Sequence, residues 1–273
     1  MPICYCFGVE KRIFKFSLAV TLFLSVFFTL VPYFNSSFLD LRQEKENEIN
    51  YQKFLKEQVE EKNHLTGRFD PTQREDFVLI PSQYTFGENK MYLIKETYEA
   101  FLKMHKVAKK DGVDLKIASA TRNFDYQKDL WNKRWNEEQT TLNGLKRFKK
   151  ILEYNAAPGT SRHHFGTDID IHRTNLPYSN IDEDEKGKKY EWLTKNAHLF
   201  GFCQTYTKKN TERKTGYNEE RWHWSYIPLA RVFTQKYKDL IKDEDIKGFL
   251  GDEYVPIFNL INNYVLSINP DCI

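Results

Sequence analysis

Ser161-Arg162-His163-His164-Phe165-Gly166-Thr167-Asp168-Ile169-Asp170-Ile171-His172 is the stretch on which the fold class turns. From Thr167 to His172 the side chains alternate strictly. Ile169 and Ile171 share one face and Asp168, Asp170 and His172 the other, the period of a half-buried strand. Helical patterns surround it in no regular order. Met91–Ala108 carries Leu93, Tyr98, Phe101, Leu102 and Val107 at helical spacing and stops at the turn pair Asp111-Gly112. Val113–Ala118 reads as a strand. Phe124–Trp135 and Leu145–Tyr154 read as helices, with Pro158-Gly159 breaking the pattern, and Tyr190–Phe200 as a helix ended by Gly201. Trp222–Tyr226 reads as a short aromatic strand. Strands and helices mixed without a βαβ rhythm predict an α+β domain, a small antiparallel sheet flanked by helices, rather than a doubly wound sheet.

Outward from this region the chain divides by composition. Residues 1–15 form a stub carrying Lys11, Arg12 and Lys15, and Phe16–Phe34 is a 19-residue run without a charged side chain. At about 1.5 Å per residue that run nearly spans a hydrocarbon core of about 30 Å. The basic flank predicts a signal-anchor at 16–34 with everything beyond it outside the cell. No small-residue cleavage site follows, although a cleaved signal would leave a secreted form. Residues 35–66 are dense in Glu, Gln, Lys and Asn, with one narrow apolar stripe at Tyr51, Phe54, Leu55 and Val59, a charged helical stem. The globular part is expected at 67–245, with a helical C-terminal extension at 246–273. Cys4 and Cys6 fall on the reducing side of the anchor, while Cys203 and Cys272 fall outside, where they are free to pair.

The 273 residues include 41 Lys and Arg against 38 Asp and Glu, and they are 40% hydrophobic and 15% aromatic, too apolar for a disordered chain. Without Lys11, Arg12, Lys15 and Glu10 the remainder holds 38 basic against 37 acidic side chains. Such a balance gives no basis for nucleic-acid binding.

Five of the seven histidines lie between His163 and His223. His163, the glycine at 166 and Asp170 offer an imidazole, a turn and a carboxylate. Glu220-Arg221-Trp222-His223 adds a second imidazole with a carboxylate three residues ahead. Two imidazoles and one carboxylate suffice for a catalytic zinc whose fourth position is left to water, with Glu220 free as general base. Convergence requires a chain reversal at Gly166. It also requires a bend before Trp222, because residues three apart point to opposite faces of a regular strand. On these residues alone, surface or hydrogen-bonded core histidines remain an alternative.

Ser161-x-His163-x-x-Gly166-x-x-x-Asp170 followed by Glu220-x-Trp222-His223 resembles the metal motif pair of the VanY-like D-alanyl-D-alanine carboxypeptidases, a group of zinc peptidases. The similarity continues in family order through Ser119-Ala-Thr-Arg122 with Gln127, through Trp192 to Ala197 with Phe200-Gly201-Phe202, and through Thr215-Gly216-Tyr217. It covers roughly Gly67 to Ala230. The resemblance implies His163, Asp170 and His223 as zinc ligands, Glu220 as catalytic base, and Arg122 as the group meeting the peptide's carbonyl or terminal carboxylate. Gln127 and Ser161 follow as its polar partners. Asp168 departs from the family, many members of which carry Ala there, and it either orients a ligand or braces the 161–166 loop. His164 and His172 are implied as supporting groups rather than ligands.

The implied activity is zinc-dependent removal of the terminal D-Ala from peptidoglycan stem peptides. The same site would also serve an L,D-carboxypeptidase, a D,D-dipeptidase or a wall endopeptidase. A zinc-stabilised module that binds wall peptide without cutting it is the competing class, though such a site needs no Glu220.

Overall fold

The computed structural model describes residues 41–87, 90–137, 143–171 and 187–273. The expected anchor at 16–34, the stub before it and His172 lie outside the described residues. Among those described, no helix is long and apolar enough to cross a membrane. The chain divides into two units, Met1–Val59 and Glu60–Ile273. In the first, residues 41–59 are helical, and Tyr51, Phe54, Leu55 and Val59 are exposed along it.

The second unit mixes helices with two small antiparallel sheets. Strand β1 (Phe77–Leu79) pairs with β2 (Tyr92–Ile94), and helix α1 (Lys95–Lys110) follows directly. The expected helix from Met91 thus begins four residues later, because Tyr92–Ile94 is drawn into the two-stranded ladder. Helices α2 (Phe124–Glu137) and α3 (Gly144–Ile151) come next. The second sheet has the order β3-β5-β4, with β3 at Asp168–Asp170, β4 at Phe202–Tyr206 and β5 at Glu220–Tyr226. Helix α4 (Lys188–Asn196) precedes β4, and α5 (Ile227–Leu240) follows β5.

Val113–Ala118 forms no strand. The Leu115 carbonyl accepts from His105 Nδ1 at 2.8 Å, and pairing is limited to isolated bridges, Thr85 with Ile117 and Ser119 with Asp170. The Ser119 bridge nonetheless lays the segment leading to Arg122 beside β3.

One face of the β3-β5-β4 sheet sends Ile169, Phe202 and Trp224 into a core shared with Phe101, Met104 and Leu193. A second core gathers Phe124, Trp131, Phe148, Tyr206, Tyr217 and Tyr237 with Phe249, Val255, Leu260, Val265 and Ile268. Residues 246–273, set apart by sequence as an extension, therefore share a core with the helices that precede them. A disulfide between Cys203 and Cys272 joins β4 to the C-terminal turn. Asn269 reinforces it, donating its backbone N–H to the Thr205 carbonyl at 2.8 Å.

His64 packs edge-on against Phe69 and Phe233 and bonds the Phe165 carbonyl through Nε2 at 3.1 Å. Burial, aided by Arg74, pushes its pKa down to about 4. The folded state therefore binds this proton less readily than the unfolded state. Its contribution to stability is complete above about pH 6.5 and is withdrawn as pH falls towards 4, a loss of about 3 kcal/mol. His64→Gln keeps a donor for Phe165 but cannot titrate. Urea midpoints measured from pH 7.5 to 4 should fall less steeply for this variant than for the parent.

Candidate metal centre and active cleft

The chain reversal expected at Gly166 is present. Arg162–Phe165 forms a 3-10 turn that ends at Gly166 with φ 79°, a left-handed conformation. A Cβ there would lie 2.6 Å from the Phe77 ring, so conformation and space both require glycine. After the turn, Asp168 and Asp170 project from the same face of β3. In the ladder Asp170 stands opposite His223 and Asp168 opposite Ser225, which puts all four on the face away from Ile169.

The bend expected before Trp222 appears as an irregularity between β4 and β5. Gln204 pairs with Trp224 and Tyr206 with Glu220, so β5 uses four residues where β4 uses two. This brings Glu220 Oε2 within 3.4 Å of His223 Nδ1.

His163, Asp170 and His223 offer ligand atoms that all lie within 4.8 Å of one another. Asp170 Oδ1 is 3.3 Å from His163 Nε2 and 3.3 Å from His223 Nδ1. A tetrahedral ion with ligands at about 2.0–2.1 Å holds them about 3.3–3.4 Å apart. Both His163 Nε2 and Asp170 Oδ1 are buried without a hydrogen-bond partner, a costly arrangement unless a cation completes it. Two imidazole nitrogens and one carboxylate oxygen are a zinc donor set.

The second ring nitrogens fix the tautomers. His163 Nδ1 donates to the Ala120 carbonyl at 2.8 Å, leaving a lone pair on Nε2. His223 is held the other way, its Nε2 donating to Asp168 Oδ1 at 2.9 Å and its Nδ1 facing the ligand cluster. Asp168 thus acts as the orienting group, and it also braces the 161–166 loop through Arg162, whose Nε donates to Oδ1 at 3.2 Å. Ser225 and Thr167 complete its shell. His164 is fully engaged elsewhere, bonding the Arg122 carbonyl through Nδ1 at 2.7 Å and accepting from Gly159 N–H at 3.1 Å.

These contacts set the charges. Burial disfavours ionised Asp170, but His163, His223 and Arg122 outweigh it and hold the carboxyl well below the usual range. Burial and Arg122 both lower His163. Burial also opposes charge on His223, yet bonds to Asp168, Asp170 and Glu220 raise it. Glu220 is pushed up by burial and by Asp170, against opposing pulls from His223 and Arg122.

Arg122 donates from Nε to Ser119 Oγ at 2.8 Å, from Nη1 to Gln127 Oε1 at 3.2 Å and from Nη2 to Asp170 Oδ2 at 2.6 Å. Gln127 is anchored in turn by the Ala156 carbonyl at 2.8 Å. Arg122, Ser161, His163, Asp170, Glu220 and His223 all line one cleft of about 130 Å³. Gln127 lies behind Arg122 and supports it. Sequence reading did not place Tyr206, Tyr154, Leu130, Lys133 or Arg134 in the lining. The last three lie three, six and seven residues after Gln127 on α2, a helical spacing that was there to be read.

A profile of the VanY D-alanyl-D-alanine carboxypeptidases matches residues 90–229, just over half the chain and inclusive of every residue placed in the cleft. The chain belongs to that family. YodJ of Bacillus subtilis is 29% identical over 184 residues, 67% of this chain and 61% of YodJ. A D-alanyl-D-alanine carboxypeptidase of Enterococcus faecalis is 30% identical over 138 residues, 50% of this chain and 49% of that protein. The chain thus spans between about half and three-fifths of these relatives. A structure of VanYB in complex with D-alanine-D-alanine aligns with 24% identity and a TM-score of 0.45, over 65% of this chain and 92% of that one.

Asp168→Asn preserves shape while removing the charge that fixes the His223 tautomer. Zinc affinity measured by competition with a chromophoric chelator should fall about 10- to 100-fold. Undiminished affinity in a folded variant would remove Asp168 from the centre.

Proposed function

We propose that the chain is a zinc-dependent D,D-carboxypeptidase that removes the terminal D-Ala from peptidoglycan stem peptides. The observation that carries this reading is the pair of buried, unpartnered ligand atoms on His163 and Asp170, facing His223 Nδ1 beside a carboxylate left free of the ligand set. Family membership supports the peptidase class. Zinc bound by His163, Asp170 and His223 would supply Lewis-acid polarisation of the scissile carbonyl and a lowered pKa for water. Glu220, raised by burial, is suited to take a proton from that water at Oε2 and deliver it to the leaving amine.

Arg122 spends three of its five N–H donors on Ser119, Gln127 and Asp170. The remaining two meet the terminal carboxylate or the developing oxyanion. Ser161, buried at the cleft wall, adds a hydroxyl donor. An L,D-carboxypeptidase or a D,D-dipeptidase would use the same groups on a different bond, and D-Ala release from a pentapeptide separates them from the reading preferred here.

Glu220→Ala should retain about one zinc per chain yet lower D-Ala release by roughly 100-fold or more, the scale of a lost general base. His163→Ala should lose zinc and activity together. Zinc content and D-Ala release measured side by side on both variants decide the assignment. A zinc-bearing, fully active Glu220→Ala would overturn the mechanism.

We also infer that residues 16–34 anchor the chain in the membrane with the Glu60–Ile273 unit outside the cell. The uncharged run behind Lys11, Arg12 and Lys15 supports this, and the Cys203–Cys272 disulfide suits an oxidising compartment. Full-length protein should resist alkaline carbonate extraction from membranes. A soluble form beginning near Ser36 would identify a cleaved signal instead.

A further inference from the structure

The cleft is buried at its floor and open at one side, and its exposed lining side chains are Leu130, Lys133, Arg134 and Tyr154. Three of the four belong to α2. Gln127, at the inner end of that helix, touches Arg122. Lys133 and Arg134 follow about 9–10 Å further along the axis, with Leu130 between. The acidic lining groups, Asp170 and Glu220, are both buried at the floor. Among the described residues that line it, the mouth therefore carries two cations and no acid. Among the described residues Arg134 pairs with Glu137, at 3.0 Å in a half-exposed pair of the kind that contributes little and exchanges easily.

A peptide whose C-terminus is held at the floor must leave past these exposed residues. An extended chain covers 9–10 Å in about three residues. We propose that Lys133 and Arg134 form a subsite for a second carboxylate on the peptide, two or three positions before its terminal residue, with Leu130 covering the small apolar residue between. This deepens the carboxypeptidase reading and rests on it for the placement of the C-terminus. The preferred substrate is thus an acidic stem peptide, and amidation of that carboxylate weakens it.

The test uses N-acetylated tetrapeptides ending in D-Ala-D-Ala, with glutamate two or three positions before the terminal residue, and their glutamine counterparts. Binding to the zinc-loaded Glu220→Ala protein is measured by calorimetry, and D-Ala release by the zinc-loaded parent, each with and without Lys133→Ala plus Arg134→Ala. One glutamate peptide should be favoured over its glutamine counterpart about three- to tenfold, through Kd and KM rather than kcat. The preference should shrink as salt is raised and collapse towards one in the double variant. Equal handling of glutamate and glutamine peptides by the parent, or a preference that survives in the double variant, overturns the subsite. Discrimination in binding without any D-Ala release would instead retain the subsite and remove the carboxypeptidase reading.

Discussion

Two aspartates two residues apart on β3 point the same way into the interior, and the rest of the site follows from neutralising them. Asp168 is fully buried and Asp170 nearly so. An unpaired carboxylate in either place would cost several kcal/mol. The preceding turn resolves both at once. Consecutive residues Arg162 and His163 reach Asp168 and Asp170 respectively, and Arg122 approaches Asp170 from the bridged segment beside β3. His223, opposite Asp170 in the ladder, contacts both acids. Cross-strand register, the 3-10 turn and Gly166 are therefore parts of one electrostatic solution.

The same solution leaves a deliberate deficit. Asp170 Oδ2 is satisfied by Arg122, while Oδ1 and His163 Nε2 stand 3.3 Å apart, both buried and without a hydrogen-bond partner. His163 has its proton on the far side, bonded to Ala120. Two such atoms facing each other in a buried space are repulsive unless a cation lies between them. Zinc held by His163, Asp170 and His223 would therefore add to the stability of this region as well as to its chemistry.

A candidate donor set and the need for two chain irregularities were legible in sequence, because His163, Gly166 and Asp170 form one local group and Glu220 and His223 another, each obeying a simple periodicity. Sequence missed what depends on distant pairing. Tyr92–Ile94 sits in a helical pattern, and only Phe77–Leu79 draws it into a ladder. Val113–Ala118 has strand composition, but its neighbours offer bridges rather than a partner strand. Pro228 lies in the first turn of Ile227–Leu240, where its missing N–H costs nothing. The C-terminal residues showed helical content, and their apolar positions alone could not reveal that they complete a core begun by α2 and α3.

Asp168 shows how a departure from a family pattern acquires meaning only in three dimensions. In sequence, its place on the same face as Asp170 is compatible with orienting a ligand or with bracing the 161–166 loop. In space it lies on the opposite edge of the His223 ring from Asp170, bonding Nε2 while Asp170 faces Nδ1. A group on that edge cannot share the ion, but it decides which nitrogen is presented. Its second partner, Arg162, is itself buried and also donates to Thr234 on α5 at 2.7 Å. The orientation of one ligand is thereby tied to helix packing well behind the cleft. A small apolar side chain at 168 would leave Arg162 as an uncompensated buried cation, so the aspartate and the arginine have to be present together.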